Sequence, residues 1–142
     1  MKIIYCCLIL LLYTGCTNYP SLTEASFKDG RFEIQQSDLS EGTPIFFKIT
    51  EGNEMAHISF FVIKFNGNIS SYFNACSKCY TSKKGFRVEK NQLICRICEV
   101  GYPFSSLDSG IASCFPIRLK GEMINDKYII EKNEILKGRD YF

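Results

Sequence analysis

The sequence contains no tryptophan and one histidine, and it has no apolar run long enough to cross a membrane as a helix. Its N-terminal apolar run, residues 3–13, falls well short of the roughly 20 residues that such a helix needs. Since His57 has no evident catalytic partner, we do not expect a Ser-His-Asp or Cys-His enzyme. The formal net charge is only +2, which is too small and too scattered to indicate nucleic acid as a partner.

The chain does contain enough apolar residues for one packed domain. Of its 142 residues 46% are hydrophobic, and the 12 Phe and 8 Tyr are residue types that favour strands. Three hairpins are predicted over residues 58–73, 85–95 and 122–130, the first of them turning at Asn66-Gly67. The first strand of the hairpin over residues 58–73 is apolar on both faces, which predicts burial on both sides. We therefore expect a mainly β fold class, a small antiparallel β domain.

The first 15 residues are typical of a bacterial lipoprotein signal peptide. The short apolar run ends in residues 13–16, Tyr-Thr-Gly-Cys, which resemble a lipobox with Cys16 as the lipidated residue. We expect a signal peptide over 1–15, a lipidated tether over 16–29 and a folded domain over 30–142. The protein would then face outside the cytoplasm in the bacterial cell envelope, with membrane lipid as a partner through Cys16. An ordinary cleaved signal with an incidental cysteine is the alternative.

Two Cys-x-x-Cys pairs, Cys76 with Cys79 and Cys95 with Cys98, follow two of the predicted strands. Two intervening residues let both sulfurs turn inward from one tight knuckle, and two knuckles supply four thiolates in a tetrahedron. This ligand set suits an iron–sulfur cluster, a single iron or zinc. Because the expected compartment is oxidising, two disulfides are the alternative.

Cys114 is a candidate fifth ligand or redox partner at the same site, because the loop over residues 101–110 could fold back over the two pairs. The alternative is a small buried core residue, a common role for cysteine. Basic residues also surround the two pairs, where they could offset thiolate charge or dock an acidic partner, or simply form a solvated face. They are Lys78, Lys83, Lys84, Arg87, Lys90 and Arg96.

A set of short motifs in this order resembles the FtrD-like family of membrane iron–sulfur proteins. The resemblance covers roughly residues 30–142 and implies that the family's cysteines correspond to the five named above. It also implies a role beside iron transport, with a membrane iron permease or a redox protein as partner. The motifs are Ala75-Cys76-x-x-Cys79-Tyr80, Lys84-Gly85-Phe86-Arg87, Leu93-Ile94-Cys95-x-x-Cys98, Tyr102-Pro103, Cys114-x-Pro116-Ile117 and Tyr141-Phe142.

The order of hairpins and cysteine loops also resembles a Rieske domain, in which each loop supplies one Cys and one His. Here Cys98 stands at the second-loop His position, and an all-cysteine site should have a lower reduction potential. We use this resemblance for the fold alone and expect a Rieske-like or zinc-ribbon-like architecture.

Three functions are compatible with these patterns. The first is a redox or metal-handling accessory to iron transport, and the second is a structural zinc module that binds another membrane protein. An enzyme with a catalytic thiol is the third and has the least support, so we expect no catalytic residues. Because the N-terminus has no twin-arginine pair, export should occur unfolded and the metal should load outside, which favours zinc or single iron over a preassembled cluster.

Overall fold

The computed structural model describes residues 19–50, 57–109 and 114–142. Within these ranges the chain forms twelve short strands and little helix, which confirms the predicted mainly β fold class. The strands are β1 (Leu22–Glu24), β2 (Phe27–Lys28), β3 (Arg31–Gln35), β4 (Ile45–Thr50), β5 (His57–Phe65), β6 (Asn68–Cys76), β7 (Phe86–Glu89), β8 (Gln92–Cys95), β9 (Gly101–Pro103), β10 (Pro116–Leu119), β11 (Glu122–Ile124) and β12 (Lys127–Glu131). The helical elements are α1 (Lys132–Leu136) and the 3-10 turns Gln36–Asp38, Tyr80–Ser82, Phe104–Ser106 and Lys137–Tyr141.

The strands form three sheets in three layers. The central sheet has the order β1-β4-β5-β6-β10, and its pairs are antiparallel except for the parallel pair of β1 with β4. A four-stranded sheet, β11-β12-β3-β2, packs on one face of it, and a three-stranded sheet, β7-β8-β9, packs on the other. The domain therefore has two buried apolar layers, one on each side of the central sheet.

Strand β5 shows why two layers are needed. Alternate residues of a strand point to opposite faces, so Phe60 and Val62 enter the layer against the four-stranded sheet while Phe61 and Ile63 enter the layer against the three-stranded sheet. All four are almost fully buried. The predicted burial of this strand on both sides is confirmed.

All three predicted hairpins are present, as the pairs β5–β6, β7–β8 and β11–β12. The first turns at Asn66 and Gly67 with φ of 51° and 76°, the two positive values that a type I′ turn requires. A Rieske-like or zinc-ribbon-like architecture stays a prediction.

The expected tether is corrected in the part that the structure describes. Leu22–Glu24 forms β1 beside β4, and Phe27–Lys28 forms β2 beside β3, so both segments belong to the folded domain. The physical reason is apolar burial, since Ala25 lies in the core and Phe27 packs against it. Cys16 and the signal peptide expected over 1–15 lie outside the described residues.

No helix in the described part of the chain is long and apolar enough to span a membrane.

Candidate metal centre

Three cysteines of the two pairs, Cys76, Cys79 and Cys95, lie in the layer between the central sheet and the three-stranded sheet. Cys76 is the last residue of β6 and Cys95 the last of β8, so each pair begins where a strand ends, as predicted. Both side chains are buried in the same apolar cluster as Leu93 and Tyr102. The two strands thereby carry the two pairs into one layer of the domain.

The first pair closes a tight turn. The backbone N–H of Cys79 donates to the carbonyl of Cys76 at 3.1 Å, which brings both side chains to the same end of β6. Tyr80–Ser82 then continues as a 3-10 turn that ends at Lys83, whose φ is 52°. The first pair therefore forms a compact knuckle.

The turn of the second pair is one residue wider than that of the first. The backbone N–H of Glu99 donates to the carbonyl of Cys95 at 3.0 Å, and Glu99 takes a positive φ of 58° to complete the turn. The wider turn leaves Cys98 exposed, whereas Cys95 is buried. The two cysteines of this pair thus differ in access to solvent.

The strand pairing of β10 brings Cys114 to the first knuckle. Pro116 pairs with Cys76 across the antiparallel β6–β10 ladder, and the N–H of Ser77 donates to the carbonyl of Phe115 at 2.9 Å. Cys114 precedes this ladder and forms a disulfide with Cys76, their Cα atoms lying 5.9 Å apart. The sequence analysis did not anticipate this pairing, because it depends on the register of two strands that are far apart in the chain.

The structure brings all five predicted cysteines into one cluster. The Sγ atoms of Cys76, Cys79, Cys95 and Cys114 lie within 4.8 Å of one another, a group that could hold a metal ion. Cys98 lies at the edge of this group, its Sγ 3.2 Å from that of Cys114. The group of four therefore contains Cys114, the candidate fifth ligand, while the ligand roles of all five residues stay predictions.

The two free thiols nearest the surface have opposite pKa shifts. Burial, together with the neighbouring Cys95 and Cys98, raises the pKa of Cys79 to about 11. Burial also opposes ionisation of Cys98, but hydrogen bonds from the Val100 backbone N–H and from the Cys95 and Cys79 thiols outweigh it, so the pKa of Cys98 lies below its ordinary value. Of Cys79 and Cys98, it is therefore Cys98 that ionises at the lower pH.

Tyr102 on β9 is a residue of the site that sequence reasoning missed. Its hydroxyl is buried and has no hydrogen-bond partner among the described residues. Burial raises its pKa to about 12, with further contributions from the charges of Cys98, Cys95 and Cys79. Its O–H is therefore a donor at neutral pH, close enough to the thiols to sense their charge. Only the Tyr-Pro of the family motif marked this position in the sequence.

A thiolate-bound metal or cluster fits these residues. The donor set is entirely sulfur, which suits zinc, iron and iron–sulfur clusters. An orphaned O–H beside the sulfurs would gain an acceptor when metal-bound thiolate is present, and such outer hydrogen bonds are a regular feature of metal sites. The site chemistry is therefore compatible with the metals that the sequence predicts.

Of the predicted basic residues, Arg87 is already paired. Its Nη1 and Nη2 donate to the two carboxylate oxygens of Glu99 at 3.0 and 2.6 Å, which holds the pKa of Glu99 below its usual value. This bidentate pair braces the second knuckle from outside, and Glu89 adds a longer contact to Arg87. Arg87 therefore positions the turn and is not a free charge beside the sulfurs.

The sequence matches the model of a family described as membrane iron-sulfur containing protein FtrD-like, over residues 41–142. The chain belongs to this family. The matched region includes all five clustered cysteines and Tyr102, so the FtrD-like description and the sulfur cluster concern the same part of the molecule. No curated protein matches the sequence.

Proposed function

We propose that this FtrD-like protein is an exported lipoprotein whose cysteine cluster holds an iron-bearing centre, an iron–sulfur cluster or a single iron, and serves iron transport as a redox or metal-handling accessory. The observation that carries the proposal is the convergence of five cysteines, from two knuckles and the segment just before β10, into one group beneath and at the edge of the three-stranded sheet. Such convergence from distant parts of a chain is the usual arrangement for a sulfur-ligated metal.

The ligands would be Cys76, Cys79 and Cys95, with Cys98 and Cys114 competing for the fourth position. Metal ligands must be deprotonated thiolates, so a dithiol reductant of the cell envelope first has to reduce the Cys76–Cys114 disulfide by thiol–disulfide exchange, in which the reductant is itself oxidised to a disulfide. Each thiol formed in this way releases its proton when it binds the metal. Iron or an iron–sulfur cluster held by these thiolates supplies one-electron transfer. The residues themselves exclude water on the buried side and leave the Cys98 side open to a partner.

A structural zinc module is the second candidate, because the close spacing of the sulfurs suits one tetrahedral ion, zinc as well as iron. Four thiolates about 2.3 Å from a central zinc lie about 3.8 Å from one another. The four sulfurs that lie within 4.8 Å are compatible with a single ion of this kind. In that case the metal would stabilise the fold, and the protein would act by binding another membrane protein.

Anchoring through Cys16 is part of the proposal and is supported by the lipobox-like residues 13–16. With a lipid on Cys16, the domain would face outside the cytoplasm and begin a few residues from the membrane. The partner would be a membrane iron permease or a redox protein, reached from the exposed side of the second knuckle.

Metal analysis and visible spectroscopy of the full chain, purified from its native membrane, test the proposal. We expect iron together with a visible absorption band that dithionite bleaches. A colourless protein that carries about one zinc per chain would instead assign the structural role. If neither metal copurifies, and neither iron nor zinc binds after reduction under anaerobic conditions, the metal centre is wrong.

A separate experiment tests the anchor. Cells that are fed a radiolabelled fatty acid should label the wild-type chain and not the Cys16→Ser variant, which should leave the membrane fraction. Equal labelling of both would show that Cys16 is not the lipidated residue, without bearing on the metal centre.

A further inference from the structure

A cavity of about 370 Å³ lies beside the cysteine cluster, on the same side of the central sheet. His57 and Ser59 share a face of β5 with Phe61, and Asn74 shares a face of β6 with Cys76, so these three polar residues belong to the layer that holds the sulfurs. We call this cavity the basic pocket. Its lining is formed by Tyr19, Pro20, Leu22, His57, Ser59, Asn74, Lys83, Lys84, Gly85, Phe86, Arg96 and Phe142.

Among the described residues, the polar side chains that line the basic pocket include three cations and no Asp or Glu. Lys83, Lys84 and Arg96 supply ammonium and guanidinium donors, while Ser59 and Asn74 add neutral ones. The carboxylate of Glu99 is near enough to Arg96 for the two charges to interact, but it is already bonded twice to Arg87. The pocket thus combines positive charge with hydrogen-bond donors, the combination that recognises an oxyanion.

Contacts within the chain hold these groups in place. Arg96 donates to the carbonyl of Lys84 at 3.1 Å, and its guanidinium carbon lies 3.4 Å from the ring centroid of Tyr19. The stacking and the hydrogen bond fix the plane of the guanidinium. Arg96 is therefore preorganised at the wall of the pocket.

The floor is equally ordered. The N–H of Phe86 donates to Oδ1 of Asn74 at 2.8 Å, which leaves the amide NH₂ of Asn74 as its donor group. Ser59 is 3% exposed and still lines the cavity, so its hydroxyl is a buried polar group at the base of the pocket. A buried hydroxyl distinguishes this pocket from a loose group of surface lysines.

We propose that the basic pocket binds a small, multiply charged oxyanion, bearing carboxylate or phosphate groups. Lys83, Lys84 and Arg96 contact the charged oxygens, and Ser59 donates from the floor. The volume falls in the range of small-molecule pockets. This site is distinct from the metal centre and needs no metal, although Arg96 adjoins Cys95 in the chain.

Isothermal titration of the full chain, purified in detergent with its metal content measured in parallel, tests the proposal. The probes are citrate, inorganic phosphate and a water-soluble short-chain phosphatidylglycerol, all at physiological ionic strength. We expect binding of at least one probe. Loss of Lys83 and Lys84 together (K83A/K84A), and of the Ser59 hydroxyl alone (S59A), should each weaken it about tenfold, since hydrogen bonds to a charged partner are among the strongest.

The double variant K90A/K120A is the matched control, because it also removes two exposed lysines, and Lys90 shares the positive φ of Lys83. Binding should be unchanged in it. If citrate or phosphate binds, and K83A/K84A and S59A weaken that binding while K90A/K120A does not, the pocket is assigned to a free anion. If only phosphatidylglycerol binds, with the same response to the variants, the pocket is assigned to a lipid headgroup. No binding of any probe, or binding that S59A leaves intact, overturns the proposal, and the metal content then reports on the proposed function independently.

Discussion

The Sγ atoms of Cys98 and Cys114 lie 3.2 Å apart, although the two residues come from different loops. Cys98 belongs to the exposed side of the second knuckle, and Cys114 is buried and bonded to Cys76. Two sulfurs this close can occupy the same coordination position by small changes of side-chain rotamer. The cluster therefore has one more sulfur than a four-coordinate metal needs.

This proximity predicts that Cys98 and Cys114 can replace each other. Cys98→Ser and Cys114→Ser should each keep at least about half of the wild-type metal content, because the remaining sulfur completes the four-coordinate set. The double variant should lose most of it. Metal analysis after anaerobic reconstitution measures this, and loss of metal in either single variant would show that the two positions are not interchangeable.

Cys95→Ser should lower the stability of the metal-loaded protein more than Cys98→Ser does. Cys95 is buried in the layer between two sheets, and no second sulfur stands in its place. A metal that binds only the native state adds about 4 kcal/mol at a concentration about 1,000 times its Kd, and most of this should be lost. Thermal unfolding with and without a chelator measures the difference. Equal melting of Cys95→Ser and the wild type in the presence of metal would contradict a metal-stabilised fold.

The effect of Tyr102→Phe on the free energy of unfolding should differ between the metal-free and metal-loaded states. Without metal the variant removes a buried hydroxyl that has no partner among the described residues, so the free energy of unfolding should stay equal or rise by about 1 kcal/mol. With metal the hydroxyl should donate to a thiolate sulfur, so its loss should destabilise the protein by about 1–2 kcal/mol and lower any reduction potential.

Tyr128→Phe is the control for this experiment, because the Tyr128 hydroxyl contacts Oγ of Ser71 at 3.0 Å on the opposite side of the central sheet. Its effect should be the same with and without metal. If Tyr102→Phe also behaves identically in both states, its hydroxyl does not contact the centre.

Alkylation of the metal-free protein should begin at Cys98. The pKa of Cys98 is lowered, so its thiolate forms at a lower pH than that of an ordinary cysteine, whereas Cys79, with a pKa of about 11, remains a thiol until much higher pH. Iodoacetamide labelling followed by mass spectrometry, at several pH values between about 6 and 9, measures the order. Bound metal should protect both residues, and faster labelling of Cys79 than of Cys98 would show that the shifts are assigned the wrong way.

Gly85→Ala should destabilise the domain more than Gly30→Ala. Both glycines have positive φ, 62° and 76°, so both substitutions strain the backbone by about 1–2 kcal/mol. At Gly85 the added Cβ would also lie 2.5 Å from Oδ1 of Asn74, while at Gly30 nothing lies within 4 Å. Chemical denaturation measures the difference, and equal effects would mean that Asn74 moves aside without cost.

Local patterns in the sequence determined the mainly β fold class, the three hairpins and the placement of each cysteine pair at the end of a strand. These features follow from the alternation of apolar residues and from turn residues such as Asn66 and Gly67, which act over a few positions. The family motifs added the membership that the family model confirms. The metal, the lipid on Cys16 and the partner stay predictions.

Only the tertiary structure decided which sulfurs meet. Cys114 reaches Cys76 through the register of β10 on β6, and Tyr102 is buried beside the thiols because β9 pairs with β8. The same long-range pairing turned Leu22–Glu24 from an expected tether into a strand of the central sheet. Contacts between residues far apart in the chain depend on the packing of whole layers, which no short pattern encodes.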